Sequence, residues 1–149
     1  FIVSKRAHKI SKIDTFEYIF GYTILNDVTS RYLQQQHNQW FLGKSLDSFA
    51  PMGPSIVTID ELVDVTRATI STTVNGEERQ KAKIADLIFD IPTLMETLTS
   101  TMTLLPGDII ATGTPAGVGL GFNPPKFLKA GDVVSVNIDA IGCLANPIV

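Results

Sequence analysis

The sequence predicts a mainly β, α+β domain with a few short helices. Three observations carry that expectation. Residues 69–74 alternate in polarity and run into Asn75-Gly76, the dipeptide that favours a type I′ hairpin turn. Two apolar runs, residues 109–112 and 133–138, each follow a Gly-Asp turn, at Gly107 and at Gly131. Strands do not alternate regularly with helices, so a doubly wound parallel sheet is not expected.

Each element has a local reason. Residues 1–4 form a short apolar strand, and residues 5–9 a basic turn. Ser11 is placed to cap a helix, with Asp14 in its first turn, where a negative charge suits the dipole. Phe16, Ile19 and Phe20 then make an apolar stripe, and Gly21 is the expected helix stop. Residues 22–26 read as a buried strand by their β-branched and aromatic content. Residues 29–36 fit a helix or an irregular loop. Residues 40–54 carry little periodicity and several Gly and Pro, so an ordered loop is expected. Ile70, Thr72 and Val74 share one face of a strand, and residues 77–80 begin its return partner. Pro92 suits the first turn of a helix whose Leu94, Met95, Leu98 and Met102 recur at helical spacing. Residues 113–125 are a long Gly/Pro loop, and long loops inside compact domains are usually functional.

Composition bounds the function. The chain has 149 residues, enough for one domain with a real core. Hydrophobic residues are 44% and charged residues 18%, the balance of a globular protein rather than a disordered one. A net charge of −3 without a Lys/Arg cluster argues against a nucleic-acid surface. No apolar run approaches the ~18 residues of a membrane span. The single cysteine, Cys143, can make no internal disulfide, which favours a reducing compartment, and it is expected to be a small packed residue. The chain opens at Phe1 on what reads as a strand in progress, with nothing like a signal peptide. A domain spanning residues 1–149 that lacks its N-terminal part is therefore expected.

Three polar features end apolar runs: Asp27 after Asn26, Lys44 in a glycine turn, and the Thr112-Gly113-Thr114 loop. An acid, a base and a hydroxyl at strand mouths are what a small polar site needs. Taken alone, Asp27 is better read as a strand-end cap, Lys44 as a solvated loop lysine, Thr114 as a turn residue and Gln34 as a surface residue. Gly43-Lys44-Ser45 is not a phosphate-binding loop: Asn38 stands where the first glycine belongs, and Pro51 and Pro54 follow instead of a helix. Gly117-Val-Gly119-Leu-Gly121 lacks dinucleotide spacing and runs into Asn123-Pro124-Pro125, where no helix can start. His8 and His37 have no partner at metal-ligand spacing, and no nucleophile elbow is present.

Longer motifs are more specific. Residues 21–31 (GYTILNDVTSR), 39–54 (QWFLGKSLDSFAPMGP), 74–77 (VNGE), 87–92 (LIFDIP) and 105–119 (LPGDIIATGTPAGVG) together resemble the fumarylacetoacetate hydrolase (FAH) family, in order and across essentially the whole chain. The wording around Gln39-Trp40 is similar to the small members: acylpyruvate hydrolases, oxaloacetate tautomerases or decarboxylases, and hydroxyhepta-dienedioate isomerases. The resemblance implies a mixed β-roll with few helices, usually a homodimer. It implies a cytoplasmic enzyme, or a mitochondrial-matrix one in a eukaryote, with Mg²⁺, or Mn²⁺ or Ca²⁺, as cofactor.

The same resemblance implies small 2-oxo or 2,4-dioxo carboxylates as substrates. The expected reaction is C–C bond hydrolysis through a metal-bound enolate. The alternative is tautomerisation, isomerisation or decarboxylation of oxaloacetate-like diacids. A second alternative is an inactive truncated homologue serving as a structural or dimerising domain. By the family pattern, Asp27 is a metal ligand, Gln34 contacts substrate, Lys44 is catalytic and binds substrate, Ser48 stands near the metal as an outer ligand, and Thr114 is catalytic and meets the substrate carboxylate. Arg31 also falls on the pattern, while Tyr32 stands where the family usually has Asp. The family's paired glutamate ligands and its lid His–Glu pair would lie upstream of Phe1.

Overall fold

The computed structural model describes residues 1–36 and 39–149; His37 and Asn38 lie outside the described residues. Two antiparallel sheets are packed together, with short helices at their ends. The first sheet holds β1 (Ile2–Val3), β2 (Ile19–Leu25) and β3 (Met52–Thr58), in that order. The second runs β5-β4-β6-β7, with β4 (Thr69–Val74), β5 (Glu77–Lys83), β6 (Val133–Ile138) and β7 (Gly142–Pro147). Among the described residues, α1 (Arg31–Gln36) and α2 (Trp40–Lys44) lie between β2 and β3, and α3 (Ile91–Thr101) lies between β5 and β6.

The β4–β5 hairpin forms as its sequence dictates. Asn75 and Gly76 both have positive φ, 52° and 82°, as a type I′ turn requires. The alternation then sets which face is buried. Ile70, Thr72 and Val74 pair with Ile138, Val136 and Val134 of β6, and this shared face enters the core. In α3, the Asp90 carboxylate accepts a hydrogen bond from the Thr93 amide, and Pro92 occupies the first turn. Ile91 and Met95 are buried on its inner face.

Several expectations fail for non-local reasons. The predicted first helix is only a 3₁₀ turn, Lys12–Tyr18. Ile19 and Phe20 already belong to β2, because β2 gains ladder partners in β1 and β3 that a short amphipathic helix cannot offer. Gly21 is therefore no helix stop. It lies inside β2, opposite Thr58, where any Cβ would overlap the Val57 carbonyl oxygen. The expected loop over residues 40–54 contains α2 and the start of β3. Met102 caps the end of α3 and is half-exposed rather than part of its buried stripe. Residues 109–112 make a single bridge, Ile2 to Ile109, not a strand. β7 was not expected, and its Cys143 is exposed rather than packed. No helix among the described residues is long and apolar enough to cross a membrane.

Candidate active site

The chain leaves β2 at Leu25, and the Asn26 amide donates to the Pro51 carbonyl at 3.0 Å, fixing the exit against the start of β3. The Asn26 side chain also reaches Asn146 of β7 at 3.5 Å. This pins the next residue, Asp27, at the mouth between the two sheets. Lys44 is the last residue of α2, seventeen positions on, and its ammonium pairs directly with Asp27 Oδ2. Lys44 Nζ also donates to Thr29 Oγ1 at 3.2 Å, and Thr29 in turn donates to the Asp27 carbonyl at 3.1 Å. Sequence reasoning missed Thr29 as a member of this cluster. Its spacing from Asp27 carries no signal until Lys44 folds back onto it.

Gly43 explains how Lys44 gets there. A Cβ at this position would lie 2.9 Å from the Gln34 Cβ, the Gln34 amide and the Ser30 carbonyl. Only a glycine lets α2 cross α1 this closely. The Ser30 amide donates to the Gly43 carbonyl at 2.8 Å and locks the crossing. The Gly-Lys dipeptide thus serves helix packing and lysine placement. Gln34 is buried beneath it, with its amide oxygen accepting from Arg31 Nη1 at 2.7 Å. Ser48 is exposed with a φ of 65°, and among the described residues its hydroxyl bonds to neither Asp27 nor Lys44.

Thr114 is held elsewhere. Its Oγ1 accepts a 2.8 Å hydrogen bond from Gln80 Nε2 on β5, and the same nitrogen donates to the Pro115 carbonyl at 2.8 Å. Its hydrogen bonds therefore go to β5, not to the Asp27–Lys44 cluster. Tyr22, inside β2, has its hydroxyl pushed up to about 12 by burial and then by the nearby Asp64 charge, so it stays neutral near pH 7 and serves packing. His8 is exposed at the Met102 carbonyl, away from these residues.

Asp27 has the chemistry of one ligand to a hard cation. Its Oδ2 is taken by Lys44, while Oδ1 accepts nothing among the described residues. It does not make a whole site: a hard cation takes ~6 or more oxygen ligands. Among the described residues, no three of His, Cys, Asp and Glu converge. Asp27 fits as a contributor to a set completed from elsewhere.

Comparison with known proteins agrees with this fold. The family profile described as the C-terminal region of fumarylacetoacetate hydrolase matches residues 1–149. Oxaloacetate tautomerase YisK of Bacillus subtilis is 52% identical over 147 residues, covering 99% of this chain and 49% of its own. The solved fumarylacetoacetate hydrolase of Exiguobacterium antarcticum superposes with a TM-score of 0.95 at 46% identity, covering 99% of this chain and 53% of its own. Maleylpyruvate hydrolase of Sphingobium sp. SYK-6, solved with manganese(II) and pyruvate, superposes with a TM-score of 0.86 at 38% identity, covering 99% and 51%. The chain spans about half the length of the curated relatives it matches. With the family profile matched over residues 1–149 and the fold superposing along nearly the whole chain, the chain belongs to the fumarylacetoacetate hydrolase family of enzymes.

Proposed function

We propose that this chain is the part of a metal-dependent enzyme that stabilises the enolate of a small 2-oxo carboxylate, and that the reaction is keto–enol tautomerisation of an oxaloacetate-like diacid. One observation carries the chemistry. An ammonium has three N–H groups, and Asp27 and Thr29 take two of those on Lys44. The third is left for a developing enolate oxygen. Lys44 is thus a fixed cation beside the reacting centre, and such charge is usually the largest single contribution to lowering a barrier. Thr114 binds the substrate carboxylate, and Gln34 supports the site from beneath. A divalent cation, Mg²⁺ or Mn²⁺ or Ca²⁺, supplies Lewis-acid charge when bound. Asp27 would hold one of its positions, and Ser48 would approach it as an outer ligand. The other ligands would come from outside these residues.

The 52% identity with an oxaloacetate tautomerase supports the tautomerase reading. Tautomerisation needs enolate stabilisation and a proton shuttle but no activated water. C–C bond hydrolysis of an acylpyruvate is the second reading, favoured by the likeness to maleylpyruvate hydrolase. The enzyme acts as a homodimer in a reducing compartment, and the exposed apolar Trp40, Phe41 and Leu42 of α2 support self-association.

The test uses the intact protein with Mg²⁺. The decay of enol-oxaloacetate is followed beside the cleavage of a panel of acylpyruvates. Faster enol decay without cleavage is expected. Cleavage of an acylpyruvate with the higher kcat/KM would replace tautomerase with hydrolase. No turnover of either would favour a structural or dimerising domain.

A further inference from the structure

We infer that Gln80 is the positioning residue that aims the Thr114 hydroxyl at the substrate carboxylate; this deepens, and rests on, the reading of Thr114 just proposed. The orientation of the Gln80 amide is fixed by chemistry. The Pro115 carbonyl can only accept, so the amide atom 2.8 Å from it is the nitrogen. That same nitrogen faces Thr114 Oγ1 at 2.8 Å. Both of its N–H groups are then spent. Thr114 must accept from Gln80, so its own hydrogen points away from β5. Thr114 is exposed, and among the described residues no acceptor takes that hydrogen. The result is a hydroxyl held as a one-way donor, which a carboxylate oxygen requires.

The anchor is rigid. Gln80 sits within β5, paired with Thr72 of β4. The loop it holds lies directly on the strand: Gly117 has a φ of 109°, and a Cβ there would overlap the Arg79 carbonyl oxygen. Further along, Phe122 lies 5.3 Å from the Arg79 guanidinium. Arg79 is the unpaired residue of a bulge in β5, between Glu78 opposite Thr73 and Gln80 opposite Thr72, and it and Gln80 meet the loop at separate points. A site fixed from a strand is held more tightly than one left to a loop.

The experiment compares Thr114→Val, Gln80→Met, Gln80→Glu and the Thr114→Val/Gln80→Met double variant in the intact protein, with unchanged Tm as the folding control. Thr114→Val is expected to raise KM for the 2-oxo acid about tenfold, the loss of one hydrogen bond to a charged group. Gln80→Met is expected to raise KM about fivefold with kcat little changed. The double variant should be no worse than Thr114→Val alone, since Gln80 acts only through that hydroxyl. In Gln80→Glu the KM defect should grow with pH as the new carboxylate ionises and captures the Thr114 hydrogen for itself. If Thr114→Val raises KM and Gln80→Met does not, or if the two effects multiply, the positioning role is overturned while the Thr114 reading stands. If Thr114→Val itself leaves KM unchanged, both are overturned.

Discussion

Two of the lysine–carboxylate contacts among the described residues, Lys44–Asp27 and Lys126–Glu77, differ in what surrounds the cation. At the mouth of β2, Lys44 binds Asp27 and Thr29 and keeps one N–H free. Beside the β4–β5 hairpin, Lys126 bonds to Glu77, and Arg79 bonds to the other Glu77 oxygen at 3.3 Å. There the cations are capped by the Phe122 ring, with Lys126 Nζ 4.9 Å from its centroid. Asp132 closes the same region, taking the Asn75 side chain and the Lys129 amide, each at 2.8 Å. The second cluster ties a loop to a hairpin beneath an aromatic ring, with Arg79 Nε buried and without a hydrogen-bond partner among the described residues. The first cluster has an ammonium shared by Asp27 and Thr29, with no ring over it among the described residues. An ion pair at a strand mouth is a candidate for chemistry when no ring caps its ammonium, and a staple when it is held under one.

The sharpest way to break this contrast is to remove each lysine in turn. Lys44→Met in the intact enzyme should lower kcat/KM by about 10²–10³-fold, the usual cost of losing a preorganised oxyanion donor. Lys126→Met should leave kcat/KM within a few-fold. Equal losses would mean that the two clusters do not differ in kind.

Next in size is the cation. Calorimetry of Mg²⁺ with oxalate as an enolate mimic should show affinity at least about 10–100-fold weaker for Asp27→Ala. Glu77→Ala, its counterpart in the second cluster, should bind as the parent does. Retained affinity in Asp27→Ala would remove Asp27 from the ligand set.

Gly43→Ala sharpens the comparison through packing. The added methyl meets Gln34 and the Ser30 carbonyl, so α2 must move off α1 and carry Lys44 with it. Overpacking of this kind costs about 1–3 kcal/mol, read as a lowered denaturation midpoint. Activity should fall along with it. A variant with parental stability and activity would show that the helix crossing does not place the lysine.

The smallest expected effect is on acid stability. Glu77 is held below its ordinary value, first by the hydrogen bond from Lys126 and then, after the opposing cost of desolvation, by Arg79. Its folded-state pKa is depressed. The group therefore stabilises the fold above its unfolded pKa, near 4.5, and that contribution is lost as pH falls through the folded value. Glu77→Gln should flatten the pH dependence of stability below about pH 4.5 and leave it unchanged near neutrality. An unaltered slope would deny the Lys126 contact its role.

Much of this was legible from short-range chemistry. Asn75-Gly76 announced its hairpin because few residues besides Asn and Gly tolerate positive φ at both turn positions. Asp90 and Pro92 announced the start of α3, because the first turn of a helix wants an acceptor and no spare N–H. What failed did so where a distant partner outbid local preference. Ile19 and Phe20 suited a helical stripe, yet β1 and β3 drew them into a ladder. β3 and β7 were hidden because Gly53, Pro54, Gly142 and Pro147 read as loop residues. At an irregular sheet, glycine and proline are tolerated once neighbouring strands supply the register.

The site divides along the same line. The sequence alone determined the residue types: an acid after Asn26, a lysine after Gly43, and a threonine in a glycine loop, in the order that marks the family. Tertiary structure decided their relations. It placed Lys44 on Asp27 and Thr29 through a helix crossing that only Gly43 permits, and it bound Thr114 to Gln80 across 34 positions of chain. The physical reason is reach. Turn and cap preferences act over three or four residues, whereas a charge or a hydroxyl acquires its function from neighbours that only the folded sheet brings within about 3 Å.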